Sequence, residues 1–248
     1  MYPAPLVRPA GDIDLVVSHE NFCWAKEILT KANATPITVG IDLKLPGIWE
    51  EMPNEDFWGR TEQIDVNDVL VTVLGLEDQL RMLCFHLLKH GATRPVWLGD
   101  IASTLESLPG STDWERCLGS NSLRQNWIVT TLGLSNRILG ANLGGLPEVV
   151  RIAQVLIWME RAMLKQWGLA APIKYPVRVE LRGSVRNVVP TLLRRWPSPI
   201  LATIRVRSSF NDVPRLPFQI AAFLMRLVSY ALLELPEKIF KHGQYKDD

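Results

Sequence analysis

The chain has 248 residues, 47% of them hydrophobic, and a formal net charge of +1. This composition excludes a disordered chain and describes a globular one, with enough apolar material for one large core or two small ones. Cys23, Cys84 and Cys117 are odd in number, far apart and set in apolar helical contexts. They read as reduced core residues of a cytoplasmic protein, not as a disulfide framework or zinc ligands.

The first expected element is a strand. Arg8-Pro9-Ala10-Gly11 leads into Asp12-Ile13-Asp14-Leu15-Val16-Val17, where β-forming residues follow a Pro/Gly lead-in with no secretory leader visible. The segment reads as short, mostly buried and opened by two carboxylates. Asp12 and Asp14 are two apart and therefore share one side of it. Like charges in an apolar strand repel unless a cation sits between them, and a divalent metal is the usual solution. The plain alternative for Asp-x-Asp is a turn whose carboxylates face water or cap backbone N–H groups.

A helix is expected from His19 to Ala32, with Phe22, Ala25, Ile28 and Leu29 on one face and Ser18 as its N-cap. The alternating, β-branched run from Thr35 to Leu45 is the next strand, and its single acid is Asp42. Strand, helix, strand brings Asp42 towards Asp12 and Asp14 across a small sheet. Three carboxylates there suit two Mg²⁺ ions about 3.5–4 Å apart, one on an attacking oxygen and one on a triphosphate.

Pro46 to Asn67 reads as irregular, anchored by Trp49, Phe57 and Trp58, with Glu50, Glu51, Glu55 and Asp56 as a solvated face. Val69 to Leu74 is a strand that closes the small sheet. A helix from Leu76 to His90 follows the stripe Leu76, Leu80, Leu83, Leu87 and Leu88, and Gly91 stops it. His86 and His90 stand at i and i+4 on one face, without the further ligand that a zinc site needs.

Beyond Gly110 the pattern is helical, over Trp114 to Leu118, Ser122 to Leu139 and Pro147 to Trp167. Gly140 to Gly145 is a turn and lacks the strand and the Lys-Ser/Thr of a phosphate loop. Lys174 to Arg207 is strongly basic and reads as a surface that pairs with the acidic first half, RNA binding being the alternative. Leu216 to Leu235 is the most apolar segment. Arg226 and Glu234 interrupt it well short of the ~20 residues that span a bilayer, so a buried or peripheral helix is expected and no transmembrane segment.

The set Arg8…Gly11-Asp12-Ile13-Asp14-Leu15-Val16-Val17, Ile41-Asp42-Leu43, Leu76-x-Asp78-x-Leu80, His86-x-x-x-His90 and Arg94-x-x-Trp97-Leu98-x-Asp100 resembles a family of uncharacterised bacterial nucleotidyltransferase-like proteins. That family belongs to the polymerase-β-type nucleotidyltransferase superfamily. The resemblance covers roughly residues 2 to 105, and more loosely Asp212 to Leu235. It implies an α+β fold, with a small mixed β-sheet of nucleotidyltransferase type and flanking helices over residues 1–110 and a mainly helical C-terminal region over 111–248. The implied reaction is metal-dependent transfer of a nucleoside monophosphate from an NTP to a hydroxyl of a small molecule, protein or RNA. Asp12, Asp14 and Asp42 are then the catalytic ligands of two Mg²⁺ ions, while the family's His-x-x-x-His block, followed by Trp97 and Asp100, has no known role; by their residue types His86 and His90 either hydrogen-bond within the fold or approach the nucleotide phosphates with Lys89 and Arg94, and Arg8 is a further candidate for those phosphates. In the superfamily a Gly-Ser, or in this family a Lys-Gly, element upstream of the paired acids holds those phosphates, whereas only Met1 to Val7 precede the strand here. On that ground the alternative is a catalytically inactive binding or regulatory module of the same fold.

Overall fold

The computed structural model describes residues 12–32, 40–44, 58–152, 155–168 and 195–229, and of Asp12, Ala32, residues 40–44 and Ser229 the backbone alone. The chain runs β1 (Asp12–Val16), α1 (Phe22–Ala32), β2 (Gly40–Lys44), a 3₁₀ turn (Trp58–Arg60), β3 (Thr61–Val66), β4 (Val69–Leu74), α2 (Leu76–Lys89) and α3 (Pro95–Ser107). It continues through α4 (Trp114–Leu118), α5 (Ser122–Leu139), α6 (Glu148–Arg151), α7 (Ile157–Trp167), α8 (Pro199–Arg205) and α9 (Leu216–Ser229). The architecture is α+β, with most of the described residues helical.

The strands form two separate pairs. β1 and β2 are parallel neighbours joined through α1, and β3 and β4 are an antiparallel hairpin. The expected single sheet closed by Val69–Leu74 is therefore corrected: among the described residues that strand pairs only with Thr61–Val66, a strand inside the stretch read as irregular. Its signal was the turn. Asn67 and Asp68 both adopt positive φ, at 54° and 64°, which a two-residue hairpin loop twisted to match its strands requires and which Asn and Asp tolerate. The backbone N–H of Asp68 donates to Asp65 Oδ1 at 2.9 Å and tightens the turn.

Exposure corrects three further expectations. Ile13 and Leu15 are 48% and 37% exposed, so β1 is not a buried strand; among the described residues it pairs with β2 alone. Trp58 is half exposed and so is not a buried packing anchor, while Trp49 and Phe57 lie outside the described residues. Cys23 is exposed on α1, whereas Cys84 and Cys117 are buried core thiols as expected. Ser18 does not cap α1. Its carbonyl accepts from Asn21 N at 3.2 Å, while its buried hydroxyl makes no hydrogen bond.

The core lies in the helices. α2 contributes Leu80, Cys84, Phe85, Leu87 and Leu88, packed against Leu98, Ile101 and Leu105 of α3 and Trp127, Ile128 and Leu132 of α5. α5 is buried along Trp127–Ser135, including Thr131 and Ser135, whose hydroxyls donate to the Trp127 and Leu132 carbonyls at 2.8 Å. Side chains from Leu80 to Phe210 share this one cluster. Long-range hydrogen bonds tie its ends together: Trp127 Nε1 donates to Ser208 O, Trp158 Nε1 to Asn211 O, and Trp167 Nε1 to Ala92 O, all at 2.8–2.9 Å.

The expected helix from Pro147 to Trp167 is two helices, α6 and α7. On a continuous helix Val150 and Met159, nine residues apart, would point about 180° apart. Both are fully buried, and the break after Arg151 lets each face the core. α3 and α8 were not expected. Each starts with Pro at its first turn, and Ser198 caps α8 by accepting from Leu201 N at 3.2 Å.

Candidate functional site

The acidic site begins with backbone register. β1 and β2 run parallel with Asp14 opposite Asp42 and Asp12 opposite Gly40. Neighbouring strands lie about 4.8 Å apart, so the backbones of all three aspartates fall within one small patch of the parallel pair. Ile13, Leu15 and Val16 supply the β-forming residues of β1, while α1 provides the crossover that parallel strands need. Asp14 is exposed; the side chains of Asp12 and Asp42 lie outside the described residues. Among the described residues no group of three or more His, Cys, Asp or Glu side chains could hold a metal ion.

A second cluster forms where α2 ends and α3 begins. One turn apart on α2, the rings of His86 and His90 have centroids 4.6 Å apart. Both pack on Trp97 of α3, His86 edge-on at 4.6 Å and His90 at 5.1 Å. The Arg94 guanidinium sits 5.3 Å above the same indole, a cation–π contact. Lys89 is exposed beside His90. Four of the residues expected to approach phosphate, His86, Lys89, His90 and Arg94, thus stand at one helix junction, with Trp97 as the platform for His86, His90 and Arg94. Arg8 lies outside the described residues.

The chain reversal there is tight. Gly91 has φ +68°, and a Cβ on it would meet Ser198 Oγ at 2.9 Å, so glycine lets α8 approach the end of α2.

A third group was missed in the sequence. Asp78, in the first turn of α2, is 2% exposed and held between two guanidiniums. Arg60 Nε lies 2.9 Å from its Oδ2, and Arg81 Nη1 donates to its Oδ1 at 3.4 Å. Arg81 also donates to the Arg116 carbonyl at 3.5 Å, and Glu77 Oε1 accepts from Asp113 N at 3.2 Å. These bonds join the hairpin, α2 and α4. The available signal was an arginine inside an apolar helix stripe with an acid three residues before it. Nearby, burial pushes the Cys117 thiol up to about 12, against the opposing charge of Arg81.

Two cavities lie elsewhere. One of about 330 Å³ is lined by Asn126, Thr130, Phe210 and Asp212 among others, and one of about 600 Å³ by Trp114, Gln125 and Pro147 among others.

Residues 43–127, about a third of the chain, match the model of a family described as uncharacterised nucleotidyltransferase. This stretch is similar to that nucleotidyltransferase family. It runs from the end of β2 into α5 and contains Asp78, His86, His90, Arg94, Trp97 and Asp100, while Asp12, Asp14 and Asp42 precede it. No curated protein and no solved structure matches the chain. Beside the nucleotidyltransferase-like stretch, the described residues include no helix long and apolar enough to cross a membrane.

Proposed function

We propose that the protein is a divalent-metal-dependent nucleotidyltransferase that moves a nucleoside monophosphate from an NTP to a hydroxyl acceptor, with Asp12, Asp14 and Asp42 as its metal ligands. One observation carries this reading: Asp14 and Asp42 are direct partners in the parallel β1–β2 ladder, with Asp12 two residues along. Three carboxylate-bearing residues on adjacent backbone positions fit a hard, oxygen-seeking cation such as Mg²⁺, which relieves their mutual repulsion. The nucleotidyltransferase-like match to residues 43–127 supports the same class of reaction.

When bound, Mg²⁺ supplies Lewis-acid polarisation of the phosphates and neutralises charge on the leaving pyrophosphate. The acceptor oxygen forms a bond to the α-phosphorus, the bond from that phosphorus to the bridging oxygen breaks, and the acceptor's proton passes to a carboxylate or to solvent. The chain's own share is positioning. Lys89, Arg94 and the His86–His90 pair give a cationic, aromatic-backed surface for the phosphates, held rigid by Trp97 and the α2–α3 packing. The chemistry is assigned to residues 1–110, with the helices of 111–248 as its scaffold.

Asp14→Asn tests it. With Asp14 exposed, the variant should keep its unfolding free energy within about 0.5 kcal/mol. Transfer from radiolabelled NTP should fall about a thousandfold, the loss of several kcal/mol of charge stabilisation. Turnover at the wild-type rate removes Asp14 from the reaction.

A further inference from the structure

Residues 210–212 wall the cavity of about 330 Å³ together with α5 and Leu156, the residue before α7. Hydrogen bonds pin this wall residue by residue. Trp127 Nε1 donates to Ser208 O at 2.8 Å and Arg215 Nη1 to Ser209 O at 3.3 Å. The Asn126 amide grips Phe210 at both ends, its Oδ1 accepting from the Phe210 N–H at 2.7 Å and its Nδ2 donating to the carbonyl at 3.3 Å. Asn211 O accepts from Trp158 Nε1 at 2.9 Å and from Arg215 Nη2. Arg215, 7% exposed, is itself held 4.7 Å from the rings of both Trp158 and Phe218. A wall fixed in this way needs little ordering when a ligand enters.

Two polar groups of the lining are left uncommitted. Among the described residues the side chains of Thr130, Thr131, Ser135 and Thr203 are buried hydroxyls, each at most 5% exposed. Thr131, Ser135 and Thr203 donate to a helix carbonyl three or four residues back, at 2.8–2.9 Å. Thr130, which lines the cavity, makes no side-chain hydrogen bond among the described residues. A buried hydroxyl without a partner is unfavourable and points to a group that enters from outside. Asp212, exposed at the rim of the same cavity, likewise has no ion pair among the described residues. Burial lowers the pKa of nearby Arg215 and the Asp212 charge opposes this, yet the guanidinium bonds to Asn211 instead. The rest of the cavity is largely apolar, with Val129, Leu156 and Phe210 as its walls. An ammonium group carries three donors and a charge opposite to a carboxylate, so it can satisfy both free groups at once.

We propose that this cavity binds a small primary amine, its ammonium between Thr130 and Asp212 and its apolar body against Val129, Leu156 and Phe210. The site stands apart from the acidic patch of β1–β2 and does not depend on it. The test is calorimetric titration of the full chain with phenethylamine, with uncharged 2-phenylethanol and with anionic 3-phenylpropanoate, three probes of nearly equal size. Phenethylamine should bind with a Kd of roughly 0.1–1 mM, the range open to so few atoms, and about fivefold tighter than the alcohol. The anion should not bind. Thr130→Val keeps the side chain's shape and removes no hydrogen bond seen in the fold, so the urea midpoint should hold while the amine binds about tenfold more weakly. Asp212→Asn, at an exposed position, should erase the preference for amine over alcohol. No heat with phenethylamine overturns the proposal. So does binding that both variants leave unchanged, which places the amine elsewhere, or tighter binding of the anion, which gives recognition to Arg215.

Discussion

The helices that share the central core and the two strand pairs ahead of them differ in what covers them. Along α5 every residue from Ile128 to Ser135 except Val129 is buried, and Leu80, Leu98, Leu132 and Met159 meet with no exposed surface at all. In the β3–β4 hairpin every residue from Glu62 to Thr72 is exposed, on both faces. β1 is little better covered. Two-stranded sheets are marginal on their own in water, so most of the stability resides in the helical part. On the proposed reading, a protein divided in this way loses activity through β1–β2 without losing its fold, and loses its fold through α2 without any change in the acidic residues.

Asp78 offers the largest test of that division. It lies inside the nucleotidyltransferase-like stretch, yet its carboxylate is spent on Arg60 and Arg81 within the protein. Asp78→Ala leaves two guanidiniums facing a buried void, and removing one partner of such a group costs about 3–5 kcal/mol. Urea unfolding should therefore shift far to lower denaturant, while the folded fraction keeps its Mg²⁺-dependent transfer rate. If stability holds and transfer vanishes, Asp78 belongs to the chemistry and the division fails.

Local rules found the helices whose buried face is set by their own spacing. The boundaries of α4 and α5, and the stripe on α2, follow from periodicity and end signals alone. The α6–α7 break did not, since it depends on Val150 and Met159 needing the same core, a tertiary demand that no window of sequence contains. β3 was hidden because Thr61 to Val66 alternates without burying either face, and only the Asn67-Asp68 turn marks it. For the site, strand-helix-strand spacing was enough to foresee β1 beside β2, and the ladder sets Asp14 across from Asp42. The i, i+4 spacing joined His86 to His90; that Trp97 and Arg94 close over them depends on how α3 turns back, which spacing does not encode. The Arg60–Asp78–Arg81 group joins the 3₁₀ turn to α2 across a long sequence separation and was equally out of reach.

A middle-sized effect comes from the core thiols. Burial raises Cys117 from an ordinary 9.0 to about 12 and raises Cys84 as well, with the neighbouring Cys117 adding to it. The folded state therefore holds a proton that the unfolded chain sheds. The resulting stability is intact below pH 9 and drains away as pH climbs towards 12, by about 1.4 kcal/mol per pH unit for one thiol. Denaturant midpoints at pH 8 and pH 10 should show the fall, and Cys117→Ala should reduce it, leaving the share of Cys84. A midpoint independent of pH over that range would mean that water reaches these thiols and that the helical core is looser than its burial indicates.

The smallest effect probes the strands from the other side. Asp68 holds φ 64° in the β3–β4 turn, a region that costs any residue with a Cβ, and the hydrogen bond it donates to Asp65 comes from its backbone N–H, which glycine keeps. Asp68→Gly should thus favour the closed hairpin by about 0.5 kcal/mol and slow exchange of the β3–β4 amides roughly twofold. With the hairpin exposed on both faces, that gain has few contacts through which to reach the core, and the global unfolding midpoint should stay where it is. A midpoint that rose with the hairpin's protection would show that the pair unfolds together with α2, through the Arg60–Asp78 bond, and the two regions would have to be treated as one cooperative unit.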